Sequence, residues 1–406
     1  MDHHIRPVPL AALVIAALCS IVASPTDASD ADMYRVTLEN LTSGQPLSPP
    51  VAATHRPNHV LFEVGQPVSA EAELLAENGD QQPLVQLLLG LHGVNEVVDF
   101  GAPLVPAGSS AGGFTDRATV DIQARGGDRL SLVTMLVCTN DGLSGVDRIK
   151  LPKGGDTYRL LGFDAGSEDN TELSGDLPDP CSALGPVVLA GDPNGNENVA
   201  VDSVPHQPVA LHPGIALVGD LGAQHAWTGP VARLTVVGLG DERSRQFSTD
   251  LSGFAEAPPA DSDAHGEARL KLEGNHRLKV KLKIKDLYGF TAAHIHLGDP
   301  GVNGPIVATL YPTDDCDNPG NGNCESQGWR HGADRGDDDC DDDSGDCDDD
   351  EIEIEITLDE SDLDGGPFAG DFPAFVSALR TGALYVNAHT TTYPGGEVRG
   401  QIGARD

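Results

Sequence analysis

From Ala268 to Lys285, apolar and polar side chains alternate almost residue by residue. Leu270, Leu272, Leu278, Val280, Leu282 and Ile284 fall on one phase of their strands, and Lys271, Lys279, Lys281, Lys283 and Lys285 on the other. A period of two suits a strand with one buried face and is incompatible with an amphipathic helix. Gly274-Asn275 interrupts the pattern as a hairpin turn does. Tyr34–Leu38 and Ile352–Ile356 alternate in the same way, and Ala383–His389 and Glu397–Ile402 read as the last strands. Gln86–Leu91 and Leu130–Val137 are more continuous, mostly apolar runs, expected as buried strands, and 230–237 reads as a strand closing the first half. Short helices are expected at Ala70–Ala76, stopped by Asn78-Gly79, and at Ala374–Leu379. The 48 Gly and 29 Pro among 406 residues favour short strands and turns over long helices. The expected class is all-β.

Length suggests two or three domains at roughly 150 residues each. Residues 1–30 read as a secretory signal: a polar start at His3, His4 and Arg6, an apolar run from Leu10 to Val22, then small residues. The run is shorter than the ~20 residues of a membrane span, and no transmembrane segment is expected in the mature chain. The patternless stretch 239–248 is expected as a linker between a unit at 33–238 and one at 249–404. The second unit carries an insertion at about 313–351, in which residues 337–351 hold ten Asp and one Glu. The chain has 63 acidic against 25 basic residues, a formal net charge of −38. Such a charge repels phosphate backbones, so no nucleic-acid partner is expected, and it favours cations or basic partners.

Beyond the leader, six cysteines remain: Cys138, Cys181, Cys316, Cys324, Cys340 and Cys347. An even count in an exported chain points to disulfides, the simplest scheme pairing Cys138 with Cys181 and leaving three connectivities for the other four; free thiols are the alternative.

Two family resemblances rest on ordered blocks of sequence. Ala53-Thr54-His55, Phe62–Gly65, Leu75–Asp80, Ser131–Leu136, Asn140–Asp147, Phe163–Glu168 and Pro230–Leu234 resemble the spondin N-terminal domain, with Gly142 where animal members carry an aromatic residue. That resemblance implies a C2-like β-sandwich that binds calcium in the extracellular matrix. Leu251-Ser252-Gly253, Glu256, Pro258-Pro259, Ala292–Pro305, Ala383–Thr390 and Pro394–Ile402 resemble the CHRD (chordin) domain, interrupted by the acidic insertion. It implies an extracellular sandwich of Ig-like or superoxide-dismutase-like type.

Two metal sites are weighed on these residues. Asp141 and Asp147 flank a glycine-containing loop after a buried strand, and Asp164 opens another; oxygen ligands on converging loops suit Ca2+, while Asp also caps turns with no ion present. His294 and His296, two apart on a strand, face one way, and His389 on a late strand completes a set suited to Cu or Zn. That pattern resembles the copper site of Cu/Zn superoxide dismutase; a structural role at the strand end is the plainer reading. No Gly-x-Ser-x-Gly, phosphate-binding glycine loop or His-Glu-x-x-His occurs, and no catalysis is expected. The expectation is a secreted, extracellular or periplasmic binding or adhesion protein, stabilised by calcium, with an extracellular protein or polysaccharide ligand. The alternative is a copper/zinc-binding protein or metal-dependent oxidoreductase built on the three histidines.

Overall fold

The computed structural model describes residues 31–178, 181, 199–311, 351–363 and 366–405. The leader, the acidic insertion and Cys316, Cys324, Cys340 and Cys347 lie outside the described residues. The first half contributes strands β1 (Ala31–Asn40), β2 (Val51–His55), β3 (Val94–Asp99), β4 (Arg117–Arg125) and β5 (Arg129–Met135). It continues with β6 (Gly142–Lys150), β7 (Gly155–Leu160), β8 (Gly162–Asp164), β9 (Ala210–Leu211) and β10 (Ala232–Gly238). The second half adds β11 (Gln246–Ser252), β12 (His265–Glu273), β13 (Arg277–Lys285), β14 (Phe290–Leu297) and β15 (Ile306–Tyr311). The last strands are β16 (Ile352–Leu358), β17 (Leu384–Thr390), β18 (Val398–Gln401) and β19 (Gly403–Ala404). Among the described residues, three α-helices join them: α1 (Ala70–Asn78), α2 (Gln82–Gly90) and α3 (Phe372–Arg380). The architecture is an all-β sandwich: the alternation predicts the β class, and the family resemblances imply the sandwich.

In the first half, β4-β1-β10-β7 faces β3-β2-β5-β6-β8-β9. Val36, Leu38, Leu132, Leu234 and Val236 fill the space between the sheets. The opposite face of the second sheet is also covered, because α1 and α2 lay Leu75, Leu84 and Leu88 against Val51, Ala53, Val133 and Met135. A strand buried on both faces has no solvent-facing polar phase, which explains the mostly apolar run at 130–137, whose Ser131 and Thr134 are themselves buried. The equally apolar run at 86–91 is instead helical. Pro83 opens α2, where a missing N–H costs nothing. Leu84, Val85 and Leu88 then turn inward at helical spacing, while Leu87 and Leu89 stay exposed. Short apolar runs do not distinguish the two states by periodicity alone. α1 matches the reading, with Ser69 accepting from Ala72 N and Gly79 closing the helix at φ +65°. Cys138 and Cys181 form the expected disulfide.

In the second half, β16-β13-β12-β11 and β15-β14-β17-β18 enclose a core that includes Phe247, Leu270, Val280, Ile295, Val386 and, from α3, Phe372, Phe375 and Leu379. The lysine row does not stand free. β13 pairs with β16, setting Lys281 opposite Glu355 and Lys283 opposite Glu353. Lys279 and Lys281 both bind Glu355, whose carboxyl these lysines hold down at about 2. Exposed pairs of this kind add little stability.

The two halves are docked. Residues 239–248, expected as a linker, already contain the start of β11. β11 runs parallel to β7 with Thr249 opposite Gly155. Any Cβ on Gly155 would sit 1.8 Å from the Gln401 carbonyl oxygen, so this approach requires glycine. Beside it, Arg233 (3% exposed) binds Glu39 at 2.9 Å through Nε and 2.6 Å through Nη2, and donates to the Phe254 and Glu256 carbonyls. Arg117 binds the other Glu39 oxygen at 2.8 Å and the Gly301 carbonyl at 3.2 Å. Glu39 thus neutralises two arginines that reach across to the second half. Removing one member of a buried pair strands the other charge. Glu39→Ala is therefore expected to cost on the order of 3 kcal/mol, whereas Lys279→Ala in the exposed ladder leaves thermal unfolding almost unchanged. Similar shifts for both variants in calorimetry would contradict this ranking.

Candidate metal centres

Two polar clusters are built by the strand register. The first lies where β6 begins and β8 ends. Gly142 pairs with Asp164, and the Ala165 N–H donates to the Asp141 carbonyl at 3.2 Å, so Asp141 and Asp164 sit at the same end of the sheet. Asp141 is fully buried. Its Oδ2 accepts from the backbone N–H groups of Ser167 (2.7 Å) and Glu168 (3.0 Å), and its Oδ1 has no hydrogen-bond partner among the described residues. Glu168 is also buried: Oε1 accepts from Val201 N at 3.1 Å, while Oε2 likewise has no partner there. Glu77, at the end of α1, hydrogen-bonds Ser167 and feels the charges of Glu73, Asp141 and Asp202. Asp164 binds the Gly166 N–H and Asn170.

Burial is the main cause that raises Glu77, Asp141 and Glu168 above ordinary carboxylate values. Neighbouring carboxylates add to it, and Glu168 reaches about 7. The sequence reading missed Glu77 and Glu168, because one looks like part of a helix stop and the other like part of a turn. Asp147 does not join them. It lies five residues along β6, accepts from Leu61 N (2.9 Å) and Ser131 Oγ (3.0 Å), and pairs with Arg148 at 2.6 Å. Its oxygens tie down the 55–61 loop, the turn-capping role that Asp takes without an ion.

The second cluster lies on the outer face of β14-β17-β18. The register sets Ala292 opposite His389, His294 opposite Asn387 and His296 opposite Tyr385, so these polar side chains share one face while Ala293, Ile295, Val386 and Ala388 enter the core. β18 extends the face with Arg399 opposite Asn387 and Gln401 opposite Tyr385. This face is covered by the Phe254–Glu256 segment and the 298–305 loop, so His294, His296, Asn387, Arg399 and Gln401 are all buried. One ligating atom from each of His294, His296 and His389 lies within 4.8 Å of the other two. His296 Nδ1 is 2.9 Å from the Gly304 carbonyl, and His389 Nδ1 is 3.1 Å from that of Pro394. Burial lowers both imidazoles below the usual histidine value, favouring the neutral ring. Beneath them, Tyr385 stacks on His296 at 4.9 Å and on the Arg399 guanidinium at 3.4 Å. Burial brings Arg399 down to about 10. Asn387 and Glu256, a carboxyl that burial raises to about 7, adjoin the cluster. The three histidines that sequence spacing nominated are thus brought together.

The raised carboxyl of Glu168 fixes a sign for pH dependence. Its value rises from 4.5 in the unfolded chain to about 7 when folded, so the folded state holds the extra proton in that window. This contribution is fully present below pH 4.5 and is lost as pH rises through 7. In chelator, the melting temperature is expected to fall between about pH 5 and 7.5 on this account, with a shallower fall in Glu168→Gln. An identical slope in the variant would show that Glu168 does not titrate in this way.

A search of curated proteins finds no match to the chain. Among the described residues, no helix is long and apolar enough to cross a membrane. Residues 247–402, which hold the histidine cluster and the face that covers it, match the family model of the CHRD domain, and the second half of the chain is accordingly a CHRD domain.

Proposed function

We propose that this chain is an extracellular binding or adhesion protein without catalytic activity, and that its first half is a spondin-like sandwich stabilised by a calcium ion. The observation that carries the calcium reading is the pair of buried carboxylate oxygens, Asp141 Oδ1 and Glu168 Oε2, that have no hydrogen-bond partner among the described residues. An ionised carboxylate buried without a partner is strongly disfavoured. Two such oxygens at one sheet end, with further carboxylates beside them, suit a hard cation that takes oxygen ligands. Asp141 and Glu168 would supply ligands; Glu77 and Asp164 stand nearby, and because these carboxylates do not form a three-residue group within 4.8 Å among the described residues, the ion would have to draw them in, whereas Asp147 is committed elsewhere. The ion would bring the loops after β5 and β8 and the end of α1 to one point, and it would offset the repulsion among their charges. The spondin-like assignment rests on the resemblance of the sequence. The extracellular role is supported by the CHRD domain, which is of an extracellular type, and by the leader-like residues 1–30. The net charge of −38 favours a basic patch on the protein or polysaccharide ligand.

Calcium that binds the folded state at a hundred times its Kd adds about 2.7 kcal/mol, several degrees in melting temperature for a unit of this size. Thermal unfolding with calcium against chelator is expected to show that rise, and Asp141→Asn to abolish it. Coincident curves for the wild-type chain would refute the calcium reading.

A further inference from the structure

We infer that the CHRD domain carries a second, chemically different metal site, in which His294, His296 and His389 bind one copper or zinc ion. The inference is independent of the calcium reading, because it rests on other residues and another ligand class. Its first support is position: one nitrogen of each ring lies within 4.8 Å of the other two, a spacing that a common ion closes with small side-chain movements.

The second support is ring orientation. A backbone carbonyl only accepts, so the contacts from Gly304 to His296 Nδ1 and from Pro394 to His389 Nδ1 place the ring proton on Nδ1. In a neutral His296 the lone pair is then on Nε2. His296 Nε2 is buried beside the Asn387 side chain, and His389 Nε2 lies 3.1 Å from Asn387 Oδ1, an acceptor that a metal-binding His389 would have to give up or that the amide would turn away. A carbonyl holding the far nitrogen of each ring is the arrangement that orients histidine ligands at metal centres.

The third support is rigidity. Tyr385 stacks on the His296 ring, and its hydroxyl accepts from the Gly304 N–H at 3.1 Å, fixing the residue whose carbonyl holds His296. Arg399 also stacks on Tyr385 and binds the Asp299 and Val302 carbonyls of the same loop. Neutral imidazoles select copper and zinc over calcium and magnesium. Three protein nitrogens leave a fourth position of a tetrahedral ion for water or another ligand.

The test uses the untagged full chain, loaded with Cu(II) or Zn(II) while excess calcium occupies the carboxylates, then desalted. Elemental analysis is expected to find one equivalent of copper or zinc, lost in His294→Gln/His296→Gln and retained in His276→Gln, an exposed control. The electron paramagnetic resonance spectrum of the Cu(II) form should show coupling to imidazole nitrogen, and X-ray absorption of the Zn(II) form should give three imidazoles at about 2.0 Å. These spectra use the wild-type chain, so the test survives a double variant that fails to fold. No retained copper or zinc in the wild-type chain, unchanged stoichiometry in a folded double variant, or fewer than three imidazoles at the ion would each overturn the site.

Discussion

The two halves of the molecule depend on Glu39. One carboxylate satisfies Arg233 and Arg117, and those two guanidiniums then have donors left for the carbonyls of Phe254, Glu256 and Gly301. Glu39 lies on β1, in the middle of the first half, and the carbonyls lie in the two segments that cover the outer face of β14-β17-β18. A charge network is an expensive way to join domains, because each ion gives up its water. Its return here is directional. It fixes where the 298–305 loop and the segment before Pro258 sit, and an apolar contact would leave both free to slide.

That placement determines the chemistry of the CHRD face. An outer sheet face rich in His, Asn, Tyr, Arg and Gln would ordinarily be solvated. Here it is roofed, and burial moves its titratable groups away from their solution behaviour: His296 and His389 toward the neutral ring, Glu256 up to about 7, Arg399 down to about 10. The acidic end of the first half follows the same rule with the opposite charge. Loops after β5 and β8 fold over Asp141 and Glu168, and their carboxyls rise because water is excluded and like charges are close. One cluster offers nitrogen lone pairs and the other offers anionic oxygen, so the two would select different cations.

Much of this was legible before any coordinates. The alternation at 268–285 gave strands β12 and β13 and the inward residues of both, because a half-buried strand leaves a period-two trace. His294 and His296 were readable as neighbours on one face for the same reason. The run at 86–91 was not, since an apolar segment of six residues has no period to read, and Pro83 together with packing against β2 and β5 made it a helix. Asp147 joins Asp141 in the sequence reading because both flank one glycine-containing loop in a block that resembles the spondin domain. Five residues along an extended strand carried it to the other end of β6, where Leu61, Ser131 and Arg148 hold it.

Sequence by itself determined the secondary-structure class and the histidine pair, because both follow from short-range periodicity and turn chemistry, while the sandwich followed from the family resemblances. Tertiary structure decided which charges meet. It brought Glu77 and Glu168 to Asp141 across helix, strand and loop, set glutamates of β16 against the lysines of β13, and drew His389 to His294 and His296 through the β14–β17 register. Electrostatic partnership depends on distances of a few ångströms between segments far apart in the chain, and no local pattern encodes those distances.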